Sequence, residues 1–196
     1  MARCFGDGDP LYAEYHDREW GRPVADERRL LEKLCLEGFQ SGLSWLTILR
    51  KRDAFRGAFR DFEPPRMAAL AERDVERLMH DARIVRNRAK IEAAVANARA
   101  TVRLGETGTP LAQLIWAHRP PGRRAPHSFA EVPSTTPESV ALARALKAAG
   151  FRFVGPTTVY SMMQACGLVN DHLRTCPVRG EVERKRRNFV APGALT

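Results

Sequence analysis

Two groups of residues in this chain are placed where their types could do chemistry. The first centres on Glu37, with Leu34-Cys35-Leu36 before it and Phe39 after it. A carboxylate drawn into apolar surroundings is costly unless a charge or a hydrogen bond meets it. Gly42 then breaks the helical pattern, Leu43 stands at the break, and Trp45 opens the next helix. An ordinary helical hairpin with Glu37 half exposed fits the same stretch.

The second group is split between the chain's two ends. Cys4 and His16 are separated by eleven residues, and His172 and Cys176 by three. An H-x3-C pair reaches one metal easily, and the first pair could complete the shell. The separation between the pairs is too long for a zinc finger, so the spacing also fits two surface histidines and two unrelated thiols. If all four bind one ion, no coordination position stays open and the metal is structural. Cys35 and Cys166 lie in apolar helical stretches and read as core. His80, His118 and His127 stand alone and read as surface residues.

A third stretch, from Leu146 to Thr157, runs helix, Gly150, Phe151-Arg152-Phe153-Val154, Gly155, helix. Such a turn can present backbone N–H groups to a phosphate without reading a base. Lys147 and Arg152 add charge beside it. An ordinary αα-turn has the same form. The formal net charge of +9 tips the balance toward a polyanionic partner, DNA.

The elements that must position these residues are helical. A length of 196 residues suits one domain, and 44% hydrophobic with 28% charged residues is ordinary for a soluble protein. We expect a single domain over residues 1–178 and a basic, mobile tail over 179–196. Cys4 to Pro23 reads as a loop-rich segment holding Tyr12, Tyr15, His16 and Trp20. Asp26 caps a helix from Glu27 to Gln40. Further helices are expected over about 44–59, 66–71, 74–81, 86–104, 110–118, 136–148 and 156–167. Ile91, Val95, Ala98 and Val102 mark one face of the longest. No useful β alternation and no internal repeat appear. The start of the chain has no signal-peptide pattern and no run reaches membrane-spanning length, so a cytoplasmic location is expected. There, cysteines serve as thiols or metal ligands rather than disulfides.

Taken together, the residues resemble the 3-methyladenine DNA glycosylase I family, bacterial alkylation-repair enzymes of the helix-hairpin-helix superfamily. The likeness rests on Arg3-Cys4, Asp9-Pro10-Leu11-Tyr12, Tyr15-His16-Asp17, Glu19-Trp20-Gly21, Leu36-Glu37-Gly38 and Gly42-Leu43-Ser44-Trp45. It continues in Lys90-Ile91, Gly150-Phe151, Phe153-Val154-Gly155 and the run from Gln164 to His172. These motifs span residues 3 to about 176.

The resemblance implies an all-α helix-hairpin-helix fold in which one structural zinc joins the two ends through Cys4, His16, His172 and Cys176. It implies a base pocket of Glu37, Tyr15 and Trp45, with Tyr12 and Trp20 nearby and Glu37 as the catalytic-site carboxylate. Gly42 and Leu43 match the loop that fills the vacated DNA stack. Lys147, Gly150, Arg152 and Gly155 form the DNA-binding hairpin. The implied activity is hydrolytic excision of 3-methyladenine from double-stranded alkylated DNA by a monomer, releasing the free base, with no lyase step. A zinc-stapled DNA-binding module without excision is the alternative. Asp171, although close to where the superfamily carries a catalytic aspartate, is left out of the catalytic set. The chain departs from the family in a shorter Cys4–Asp9 loop, in Phe5 where a tryptophan is expected, and in its unmatched tail.

Overall fold

The computed structural model describes residues 3–193, and among them the only regular elements are helices. Eleven are α-helical: α1 Pro10–Arg18, α2 Glu27–Gln40, α3 Trp45–Arg50, α4 Arg52–Ala58, α5 Pro64–Ala68 and α6 Glu72–Met79, followed by α7 Arg88–Glu106, α8 Leu111–Trp116, α9 Pro137–Ala148, α10 Pro156–Ala165 and α11 Arg179–Arg187. Short 3-10 turns cover Arg60–Phe62 and Phe129–Glu131.

α2 is the central helix. Asp26 accepts a hydrogen bond from the Arg29 N–H at 2.9 Å, which fixes its start. It packs against α7 and α10, with α3 and α8 also in contact. Leu30, Leu31, Leu34, Leu36 and Phe39 are almost wholly buried. Each such side chain contributes about 1.5–3 kcal/mol relative to an exposed one.

α7 acts as a ruler for two loops. From one turn, Lys90 donates through Nζ to the carbonyls of Phe39 at 2.9 Å and Ser41 at 2.6 Å. A cation there satisfies the open C-terminal carbonyls of α2. Two turns later, the Asn97 amide brackets Arg152, donating to its carbonyl at 3.1 Å and accepting from its N–H at 2.7 Å. The Gly42 loop and the α9–α10 turn are therefore held from a single helix.

Three expectations are corrected. The segment containing Tyr12, Tyr15 and His16 is not a loop but α1, with Asp9 as N-cap and Pro10 in the first turn. The helix expected over 44–59 is two helices, broken at Lys51, whose ψ of 0° leaves the helical range. Within the expected tail, residues 179–187 form α11, with Val182 and Arg186 buried. The Arg186 guanidinium donates to the carbonyls of Gly167 and Leu168, both at 2.8 Å. Residues 194–196 of that tail lie outside the described residues.

Candidate active site and metal centre

α1 presents neighbouring residues to two different places. His16 turns toward the chain's far end, where Cys4, His172 and Cys176 meet it. The Cys176 Sγ lies 3.5 Å from His16 Nε2 and 3.4 Å from His172 Nδ1, and Cys4 Sγ lies 3.6 Å from His172 Nδ1. All four donor atoms lie within 4.8 Å of one another. Donors bound at ~2.0–2.3 Å around one tetrahedral ion stand roughly 3.3–3.8 Å apart, so the cluster fits a metal of that kind.

The outer contacts match this reading. His16 Nδ1 faces the Asp17 carboxylate at 2.8 Å, and His172 Nε2 faces the Trp20 carbonyl at 3.1 Å. Each ring thus directs its other nitrogen inward, as metal-binding imidazoles do. Gly21 stands at φ +81°, and a Cβ there would approach His172 Nε2 to 3.1 Å. A side chain would crowd the ligand that Trp20 orients.

Tyr15, the other residue of this α1 pair, enters a cavity of about 340 Å³. Tyr12, Trp20, Glu37 and Trp45 line it with Tyr15, so the expected base-pocket residues converge. Tyr15 and Trp45 rings stand 5.4 Å apart at 45°. Phe5 fills the position of the expected tryptophan and packs on Tyr12 at 4.8 Å and Trp20 at 5.0 Å. Two ion pairs, Arg50–Asp9 at 2.6 Å and Arg52–Glu19 at 2.7 Å, tie α1 to α3 and α4 and hold these rings in register.

Glu37 is 6% exposed. Burial raises its pKa to about 7, and the charge of Lys33, one helical turn earlier, pulls it back down. The Lys33 ammonium lies 4.7 Å from the centroids of both the Tyr15 and Trp45 rings and 3.4 Å from the Tyr15 hydroxyl. Burial in turn lowers the pKa of Lys33. The indole Nε1 of Trp45 is buried without a hydrogen-bond partner among the described residues.

A second cleft continues from Glu37 past Gln40, Gly42 and Leu43 to Thr157 and Ser161 of α10. Gly42 adopts φ +83°, a conformation that glycine takes without strain, and the turn leaves Leu43 42% exposed. Across α10, Gly150 adopts φ +94° and Phe153 +55° in the turn from α9. Lys147 and Arg152 are exposed there, and Gly155 is the N-cap of α10, without a side-chain capping hydrogen bond.

Several further participants stand outside the expected base-pocket set. Phe129 comes from the connection between α8 and α9, Ser161 and Gln164 from α10, and Lys33 from behind the rings. Periodicity marked the α10 pair only as helical. Lys33 had one legible sign, its place four residues before Glu37.

Comparison with known proteins agrees with this geometry. The family model "Methyladenine glycosylase" matches residues 5–179. DNA-3-methyladenine glycosylase 1 of Escherichia coli strain K12 is 49% identical over 180 residues, 90% of this chain and 96% of that protein. A crystal structure of 3-methyladenine DNA glycosylase I superposes with a TM-score of 0.87 at 49% identity, covering 90% of this chain and 98% of the other. The Staphylococcus aureus enzyme, whose structure describes 3-methyladenine recognition, gives 0.85 at 36% identity, covering 90% and 95%. A match across nearly the whole chain, on a structure that brings Tyr15, Glu37 and Trp45 to one cavity, shows that this chain belongs to the methyladenine glycosylase family.

Proposed function

We propose that this protein excises 3-methyladenine from alkylated double-stranded DNA by hydrolysing the N-glycosidic bond. The observation that carries the reading is Glu37, a buried carboxylate lining an aromatic cavity. A neutral ligand adds nothing to what Lys33 offers its charge, whereas a cationic purine opposes that charge directly. Tyr15 and Trp45 favour the same charge through their ring faces, by ~0.5–2 kcal/mol.

The lesion's positive charge already weakens its bond to the sugar. Flipping the nucleotide costs a few kcal/mol, less for a poorly stacked base. Leu43 enters the vacated space as an apolar wedge. Water attacks C1′, the C1′–N9 electron pair leaves with the base, and the water's proton passes to solvent. The base departs neutral, and an abasic site remains. Among the described residues no lysine lines the cavity, and the reading carries no lyase step.

The hairpin between α9 and α10 holds a phosphate through its backbone in this reading, with Lys147 and Arg152 alongside. Zinc suits Cys4, His16, His172 and Cys176, because thiolate and imidazole donors at tetrahedral spacing favour it. Bound there, it supplies structure, joining the chain's ends and anchoring α1. We take the protein to act as a monomer in the cytoplasm.

Incubating the purified protein with methylated duplex DNA and chromatographing the released bases tests the proposal. Free 3-methyladenine and unnicked abasic sites are expected. Tight DNA binding with no released base would instead favour a non-catalytic binding module.

A further inference from the structure

A buried carboxylate that base excision leaves unused sits behind the pocket. Asp171 is 1% exposed. Its Oδ2 accepts from the Tyr160 hydroxyl at 2.7 Å and from Gln164 Nε2 at 2.9 Å. Its Oδ1 lies 3.0 Å from Arg123 Nη2. Asp171 does not line the cavity, but Gln164 does, one turn beyond Ser161 on α10.

This arrangement fixes which way the Gln164 amide points. A carboxylate has no proton to give, so Gln164 must turn its NH₂ toward Asp171. A flipped amide would set its carbonyl against a buried carboxylate, leaving two acceptors face to face. Tyr160 and Arg123 hold Asp171 from its other sides, so it cannot turn away. The atom Gln164 has left is Oε1, and no group among the described residues bonds to it.

We infer that Gln164 determines specificity in this pocket: its Oε1, oriented by Asp171, accepts a hydrogen bond from an exocyclic amino group and rejects a purine with a carbonyl there. Asp171 is then a positioning residue that acts through Gln164. Glu37 cannot make this distinction alone. With its pKa near 7 it is present in both forms at neutral pH, so it can donate to a carbonyl as well as accept from an amine. An amide locked by a neighbour offers only the acceptor.

The inference rests on the base-excision reading, and the two can be separated. Binding of free 3-methyladenine and of 3-methylhypoxanthine, which replaces the amino group with a carbonyl, is measured by calorimetry. The wild type, Gln164→Met, Asp171→Asn and the double variant are compared, with melting temperatures as a control for folding.

The wild type should prefer the amino base. Gln164→Met should weaken that base by roughly three- to ten-fold, the worth of one neutral hydrogen bond, and tighten the oxo base, because the opposing acceptor is gone. Asp171→Asn frees the amide to flip, so it should narrow the preference from both sides, and in the Gln164→Met background it should narrow it no further. An unchanged preference in Gln164→Met overturns the inference even if Asp171→Asn fails to fold. Equal losses on both bases would make Gln164 a packing residue only. A wild type that binds neither base overturns the base-excision reading instead.

Discussion

The imidazole of His172 packs edge-on against the indole of Trp20, with 4.5 Å between centroids and 71° between planes. One residue is a candidate metal ligand and the other a wall of the aromatic cavity proposed to take the base. The His172 Nε2 contact to the Trp20 carbonyl, at 3.1 Å, joins the same two residues through the backbone. The candidate metal centre and the pocket therefore share a wall, and so does α1, where Tyr15 and His16 are adjacent.

The first prediction follows from that shared wall. Elemental analysis should find about one zinc per chain, a tetrahedral four-ligand site having room for one ion. Cys176→Ala should destabilise the fold, and a loss of ~3 kcal/mol would lower the melting temperature by roughly 6–12 °C in a domain of this size. Base affinity should fall with metal content, because Trp20 and Tyr15 lose their anchor. A metal-free protein with unchanged melting temperature and base affinity would remove the site from the structure's support.

Sequence alone made the centre of the molecule legible and its edges less so. α2 was readable to the residue because Asp26 caps it and Gly42 follows it, both strong local signals. α1 went unread although Asp9-Pro10 is a good helix start, because glycines and aromatics around it look like a loop. α11 was hidden by its charge: among nine residues, only Val182 is a sizeable apolar side chain, so no stripe shows. The four candidate metal ligands, from Cys4 to Cys176, could be grouped only through family likeness, since their spacing is ambiguous. Ser161 and Phe129 reach the cavity through tertiary packing, for which no local pattern exists, and Gln164 was legible only as the start of the motif that runs to His172.

The second prediction concerns the DNA face. Binding should weaken steeply with salt, as counterion release requires. Leu43→Ala should weaken binding to a duplex carrying a flipped lesion more than binding to undamaged duplex, because the side chain acts only once a gap exists. Lys90→Met should shift the balance in the same direction without any contact to DNA, since Lys90 holds the carbonyls at the base of that loop. Equal losses on the two DNAs would remove Leu43 as the wedge.

The third prediction is a pH dependence. Burial holds the Glu37 pKa at about 7, above its ordinary 4.5. The folded state therefore binds more protons than the unfolded one between these values, and this group's contribution to stability falls as pH rises through that window. Binding of a cationic base favours the ionised form, so kcat/KM on lesion DNA should rise with pH toward a plateau above about 7. Lys33 lowers the Glu37 pKa, so Lys33→Met should move the rise to higher pH. A rise that stays in place in Lys33→Met would mean that the ammonium does not act on Glu37.

The last prediction isolates the charge of Glu37. Glu37→Gln keeps the shape and removes the ionisation. Between pH 4.5 and 7 its stability should lose the component that falls with rising pH in the wild type, because the Glu37 titration that supplies it is gone. Free 3-methyladenine should bind several-fold less tightly, since a charge-assisted hydrogen bond contributes roughly 1.5–3 kcal/mol. Excision should slow and lose its pH dependence near 7, yet persist, because the lesion's own charge already weakens the bond being broken. Complete loss of turnover in a well-folded, base-binding variant would make Glu37 a participant in bond cleavage itself. Unchanged base affinity would mean that Glu37 does not touch the base, and its burial would then serve the fold through Lys33 instead.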